Sequence, residues 1–83
     1  MNRTSELRSQ GRGLVPGSAR EIEERASQAR DGAEALRLYG SLQSRFGGTP
    51  EGVRAALWVG IYYYGAGEEE SSLEYFERAR RNA

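Results

Sequence analysis

Apolar residues recur at steps of three and four along most of the chain, which is the spacing of amphipathic helices. The pattern predicts helices over residues 19–29, 33–46, 50–64 and 69–81, joined by short loops. Short loops favour antiparallel neighbours. We therefore expect an all-α fold of two antiparallel helical hairpins.

Residues typical of helix ends flank these segments. Ser18, followed three residues later by Glu21, fits a capping box, and 49–51 (Thr-Pro-Glu) places a cap, a proline and an acid at a helix start. Glycine at 47–48 is typical of a helix end. The predicted inward positions are Ala19, Ile22, Ala26, Ala29, Ala35, Leu38, Tyr39, Leu42, Phe46, Ala56, Val59, Gly60, Tyr63, Leu73, Phe76 and Ala79.

The first 17 residues differ in composition from the rest. They mix glycine, proline and charged residues with scattered apolar ones, which predicts a disordered tail or linker over 1–17. The run 13–18 is similar to a protease-cleavage linker. The folded domain is therefore expected over 18–83.

Composition excludes several function classes. The chain has no cysteine and no histidine, so disulfides, thiolate or imidazole metal sites and histidine-based proton transfer are unavailable. No nucleophile is paired with a base, so we expect no enzyme, no metal and no cofactor. The net charge is zero, which gives no general attraction to nucleic acid.

The sequence shows no membrane or export signal. The longest apolar stretch, 55–64, is interrupted by Gly60 and is shorter than the roughly 20 residues that cross a bilayer. The N-terminus lacks the apolar region of a secretory signal. We expect no membrane insertion, and either a cytoplasmic protein or part of an exported one.

The two halves of the domain resemble each other at an offset of 37 residues. This offset predicts one repeat over about 18–48 and a second over about 49–83. The paired residues are Ala19 with Ala56, Ile22 with Val59, Ala29 with Ala66, Asp31 with Glu68, Ala35 with Ser72, Leu36 with Leu73 and Tyr39 with Phe76.

The second half carries a recognisable motif. It reads Ala56-x2-Val59-Gly60-x2-Tyr63, then Ser72-x3-Phe76-x2-Ala79. This pattern resembles a tetratricopeptide repeat, and the link between the halves is similar to long-looped repeats of bacterial envelope proteins, such as the Tol-Pal coordinator and the outer-membrane assembly lipoprotein. In the first half, Glu23 replaces the glycine and Ala26 the tyrosine. The resemblance implies a short right-handed solenoid.

The same resemblance implies a function. Repeats of this family bind a peptide or partner protein in a concave groove lined by the first helix of each hairpin, and the resemblance implies such a role in a bacterial envelope or scaffold assembly. The positions carried over to this chain are Arg20, Glu24, Ser27, Gln28, Arg54, Leu57, Ile61 and Tyr64. The competing interpretation is that the apolar members of this set only pack against the first helix or against a dimer mate.

Two further hypotheses stay open at the level of sequence. Trp58, Tyr62 and Tyr75 lie off the predicted internal stripe and could instead form a homo-oligomer interface. The arginines near the C-terminus could contact phosphate, although cations at a helix C-terminus are explained by the helix dipole. The dipole equally explains the acidic run 68–70 at the start of the fourth helix.

Overall fold

A computed structural model describes residues 17–83 and confirms the all-α prediction. Four helices follow one another: α1 (Ala19–Ser27), α2 (Gly32–Phe46), α3 (Pro50–Gly65) and α4 (Glu69–Asn82). The structure assigns no strand within this part of the chain. The tail predicted over 1–17 lies, except for Gly17, outside the described residues.

The first helix starts where the capping signal predicts and ends earlier. The Ser18 hydroxyl accepts a hydrogen bond from the Glu21 backbone N–H, and the Glu21 side chain accepts one from the Ser18 N–H. The helix was expected to reach Ala29. Its last turn tightens instead, because the Ala29 N–H bonds the carbonyl of Ala26 at 3.2 Å, three residues back.

Side-chain caps also fix the starts of α2 and α3. Asp31 Oδ1 accepts from the Glu34 N–H at 2.8 Å. Thr49 Oγ1 accepts from the Gly52 N–H at 3.0 Å while its own hydroxyl donates to the Phe46 carbonyl at 2.7 Å. Thr49 therefore ends one helix and begins the next, which sets the short turn between them.

The helices stack in chain order. Each packs on the next, and α1 also contacts α3, whereas α4 packs its backbone against α3 and reaches α2 through a side-chain hydrogen bond. Most of the buried apolar residues are alanines, and the larger ones are Ile22, Leu38, Leu42 and Val59. A core of small side chains lets helix backbones approach closely, but it buries little apolar area per residue.

Two glycines show how close this approach is. A Cβ at Gly52 would lie 1.9 Å from the Phe46 carbonyl oxygen, and one at Gly60 would lie 2.7 Å from the Phe76 ring. Both glycines are buried at helix crossings. They allow α3 to contact α2 and α4 at distances that a side chain would prevent.

The prediction that Leu73 points inward is wrong. Its side chain is 65% exposed, whereas Ser72 and Ala79 on the same helix are buried. The offset of 37 residues pairs Leu73 with Leu36, which is half-buried in α2. Leu73 is exposed because of the position of its helix in the stack. The α2 helix lies between α1 and α3, whereas α4 has a neighbouring helix, α3, on one side only.

Candidate binding surface

An exposed apolar stripe runs along α3. Leu57, Ile61 and Tyr64 are 42%, 63% and 67% exposed. Steps of four and three residues place these side chains on one face of the helix, opposite the buried Ala56 and Val59. The face covers more than two helical turns and receives no covering element from the described chain.

The four positions carried over to α1 are also on the surface. Arg20, Glu24, Ser27 and Gln28 are all exposed. The Ser27 hydroxyl donates to the Glu24 carbonyl at 2.8 Å, so one of its hydrogen bonds is already used within the helix. All eight predicted groove residues are therefore accessible, on two helices that contact each other. Their role in binding stays a prediction.

An ion pair joins these two helices. Arg54 Nε donates to Glu23 Oε2 at 2.7 Å, and Arg54 Nη2 donates to Glu23 Oε1 at 2.8 Å. The bidentate hydrogen bond to Arg54 lowers the pKa of Glu23, and the same contact raises the pKa of Arg54. Sequence reasoning placed Arg54 in the groove but treated Glu23 only as a departure from the repeat pattern. A pairing across 31 residues leaves no local signal in the sequence.

Trp58 and Tyr62, which were predicted with Tyr75 to form a self-association surface, stack on each other, and Tyr75 contacts Tyr63; their role in self-association stays a prediction. Trp58 stacks on Tyr39 of α2, with ring centroids 4.6 Å apart, and on Tyr62, at 5.6 Å. Tyr63 contacts Tyr62 edge-on and lies 5.9 Å from Tyr75 of α4. The series of rings thus crosses α2, α3 and α4, and its members are partly buried within the chain except for Tyr62, which is exposed.

Arg78 extends this series at its α4 end. Its guanidinium lies 4.6 Å from the Tyr75 ring centroid and donates to Glu74 at 2.6 Å. It also donates to the side-chain oxygen of Gln43, a buried residue of α2, at 2.8 Å. The arginine therefore links α4 to α2, which gives it an internal partner in place of the phosphate considered from sequence.

Negative charge is concentrated where α3 ends. Glu68, Glu69 and Glu70 are exposed, and none of them forms an ion pair with an arginine in the part of the chain that the structure describes. The other three helices carry arginine in their last turn, but α3 has no basic residue there. The Glu68 N–H donates to the Tyr63 carbonyl at 2.9 Å, so the acidic run begins beside the turn that presents Tyr64.

A shallow depression at the start of α3 is lined mainly by Gly48, Pro50, Val53 and Arg54, with Asn82 and Ala83 of α4. Within residues 17–83, no cluster of three or more carboxylates is arranged to hold a metal ion. None of the four helices combines the length and apolar character that crossing a bilayer requires.

No protein-family model, curated protein or solved structure matches the chain. The tetratricopeptide resemblance therefore remains a prediction from the residues themselves. The exposed α3 stripe and its charged surroundings are the features from which function can be argued.

Proposed function

We propose that the chain is a protein–protein interaction module that binds an extended or helical segment of another polypeptide on the α1–α3 surface. The observation that carries this proposal is the exposed stripe of Leu57, Ile61 and Tyr64. These side chains are larger than most of those in the core. The chain buries alanine and exposes leucine, isoleucine and tyrosine on one helix face. Such an exposed apolar face is typical of a surface that binds an apolar segment of a partner.

The surroundings of the stripe favour a polypeptide as the partner. One neighbouring helix offers Arg20, Glu24, Ser27 and Gln28, which can hydrogen-bond to backbone and polar side chains. An apolar row with a polar border is the usual arrangement of grooves that receive a helix or an extended peptide. The Glu23–Arg54 pair holds α1 beside α3, so the two sides of this surface keep a fixed spacing.

Selection from a displayed library of random linear peptides tests the proposal. The full chain is immobilised, and enriched peptides are synthesised and titrated against it by fluorescence anisotropy. The test variant combines Leu57→Ser and Ile61→Ser, and the control is Leu73→Ser, which removes from α4 a leucine that is more exposed than Leu57 and about as exposed as Ile61. Circular dichroism verifies that each variant keeps its helices.

We expect the double variant to bind selected peptides at least about tenfold more weakly, because central apolar anchors dominate such interfaces. The Leu73→Ser control should bind as the unmodified chain does. Failure to enrich any peptide, or equal binding by the double variant, would remove the α3 stripe as the binding surface.

A second candidate function is self-association, which the same exposed residues could drive. The size of the stripe argues against it, because three side chains are far fewer than the roughly 20–30 residues that each partner contributes to a stable interface. Trp58 and Tyr75 are partly buried against other rings of the chain, whereas Tyr62 stacks on Trp58 and stays exposed. Peptide binding is thus the function that the surface supports better.

A further inference from the structure

We infer that Glu23 and Arg54 are positioning residues for the bound peptide, and that Arg54 supports binding through Glu23 rather than by contacting the ligand. This inference rests on the proposed function and specifies how its surface is held in shape and regulated. One consequence is that salt weakens the binding of a peptide that carries no charge of its own.

The hydrogen-bonding capacity of Arg54 is largely used inside the chain. Its Nε and Nη2 atoms donate to the two carboxylate oxygens of Glu23, at 2.7 and 2.8 Å. This bidentate contact occupies one edge of the guanidinium and balances its charge. A carboxylate of a ligand would have to displace Glu23 to use the same edge. Arg54 is therefore better suited to linking two helices than to contacting a ligand.

The pair lies on the same helix faces as the predicted contact residues. On α1, Arg20 and Ser27 are one turn before and one turn after Glu23, so the three side chains share a face. On α3, Leu57 follows Arg54 by three residues and begins the exposed apolar stripe. The pair therefore joins the polar row of α1 to the apolar row of α3 at one end of the surface.

The attachment of α1 to α3 depends on this pair. At nine residues α1 is the shortest of the four helices, and its contact with α2 is more extensive than its contact with α3. Within residues 17–83, no other side-chain hydrogen bond or ion pair connects α1 to another helix. Apolar contacts are non-directional, so the bidentate pair is what sets the rotation and shift of α1 relative to α3.

A fixed α1 favours binding because the two rows already have the spacing that the peptide needs. No binding free energy is then used to order the helix. Without the pair, the buried Ile22 and Ala26 still hold α1 in the fold, but the helix can turn and carry its polar row away from the peptide. The Arg54 side chain is 56% exposed, so salt screens the attraction and loosens α1.

The experiment uses a peptide selected from a library that excludes charged residues, and measures its affinity by fluorescence anisotropy. The variants of the full chain are Glu23→Gln, Arg54→Gln, the two together, and the exchanged pair Glu23→Arg with Arg54→Glu. The control is Glu77→Gln, which removes the ion pair of Glu77 with Arg80 within α4. Circular dichroism verifies that each variant keeps its helices.

Each single variant should bind roughly two- to fivefold more weakly at low salt, as expected for the loss of an exposed ion pair. The double variant should lose no more than either single variant, because all three lack the same interaction. The exchanged pair should recover most of the affinity, and Glu77→Gln should bind as the unmodified chain does. Raising the salt from roughly 0.01 to 1 M should weaken binding by the unmodified chain and leave the double variant unchanged.

The position of α1 can also be measured without a ligand, because the chain has no cysteine. Spin labels on Arg25→Cys and Ala66→Cys, which are exposed sites on α1 and directly after α3, report the distance between the two helices by electron paramagnetic resonance. The distance distribution should be narrow when the pair is intact and should broaden in Glu23→Gln. It should become narrow again in the exchanged pair.

Two results would overturn the inference and leave the proposed function standing. The first is weaker binding by Arg54→Gln with normal or tighter binding by Glu23→Gln and no recovery in the exchanged pair, which would mean that Arg54 contacts the peptide. The second is a distance distribution that Glu23→Gln does not change. A library that yields no peptide would overturn the proposed function, and the spin-label distances would still decide whether the pair positions α1.

Discussion

Arg54 and Glu23 meet through two parallel hydrogen bonds, of 2.7 and 2.8 Å, that join the fifth residue of α3 to the fifth residue of α1. The pairing sets α1 and α3 in register and borders the proposed binding surface. Because the Arg54 side chain is 56% exposed, solvent screens much of the attraction. Its main effect is therefore on geometry.

The pair predicts a specific dependence of stability on pH. Its lowered pKa means that Glu23 binds a proton less readily when folded, so its contribution is present above the ordinary value of 4.5 and is lost as pH falls through the folded pKa. Glu23→Gln should be slightly less stable than the unmodified chain at neutral pH, and this difference should shrink as the pH falls below 4.5. Urea unfolding followed by Trp58 fluorescence measures the free energy of unfolding of both proteins at each pH. If the difference between them stayed the same at acid pH, the lowered pKa of Glu23 would not come from this ion pair.

Gly60 should not tolerate a side chain. A Cβ there would lie 2.7 and 2.8 Å from ring carbons of Phe76, so Gly60→Ala must displace the Phe76 ring or the α4 helix that carries it. We expect a loss of about 1–3 kcal/mol, as for an overpacked core. Gly40→Ala is the control, since a Cβ there meets nothing within 4 Å and alanine should stabilise α2 by about 0.5–1 kcal/mol. Chemical unfolding measures the free energy of unfolding of both variants. If Gly60→Ala were stabilising, α3 and α4 would be less closely packed than the structure shows.

Ser72→Ala should increase stability. The Ser72 hydroxyl is buried, and its oxygen has no hydrogen-bond partner among the described residues. Removing it should raise the free energy of unfolding by roughly 1 kcal/mol, the usual cost of an unsatisfied polar group. The neighbouring Ser71, which is only half-buried, gives the control substitution Ser71→Ala. A less stable Ser72→Ala would mean that the hydroxyl is in fact bonded.

Tyr39 should lose its phenolic proton at a higher pH than an ordinary tyrosine. Burial raises its pKa above 10.0, and the nearby Glu23 carboxylate raises it further. A raised pKa in the folded state stabilises the protein below the unfolded pKa, and this contribution is lost as pH rises through the folded pKa. In an alkaline absorbance titration, the Tyr39→Phe variant should lack the late-ionising component. If the late component persisted, it would belong to another tyrosine.

The chain should remain monomeric if the aromatic rings serve internal packing. Sedimentation equilibrium over a concentration series should give one mass, because Trp58 stacks between Tyr39 and Tyr62 inside the molecule. Mass that rose with concentration, and fell again in Tyr62→Ser, would favour the self-association hypothesis. Tyr64→Ser distinguishes association through the α3 stripe from association through the stacked rings.

Local signals predicted the helices well because their ends are fixed by nearby residues. Ser18, Thr49 and Pro50 each act within one turn of their own position, and the helix starts agree with the prediction within one residue. The end of α1 was missed because its closing turn depends on a three-residue hydrogen bond that many sequences could adopt.

Features that depend on tertiary neighbours could not be predicted in the same way. Leu73 satisfies the helical period as well as Leu36 does, but only the position of α4 at the end of the stack leaves it exposed. The partnership of Glu23 with Arg54 requires knowing which helices touch.

The alanine-rich interior has a consequence for altering this molecule. Closely apposed backbones leave almost no room for larger residues at sites such as Gly52 and Gly60, so variation in side-chain size is confined to the outside. Leu57, Ile61 and Tyr64 are already outside. New recognition properties could therefore be engineered on α3 by randomising these positions while the packing beneath them stays untouched.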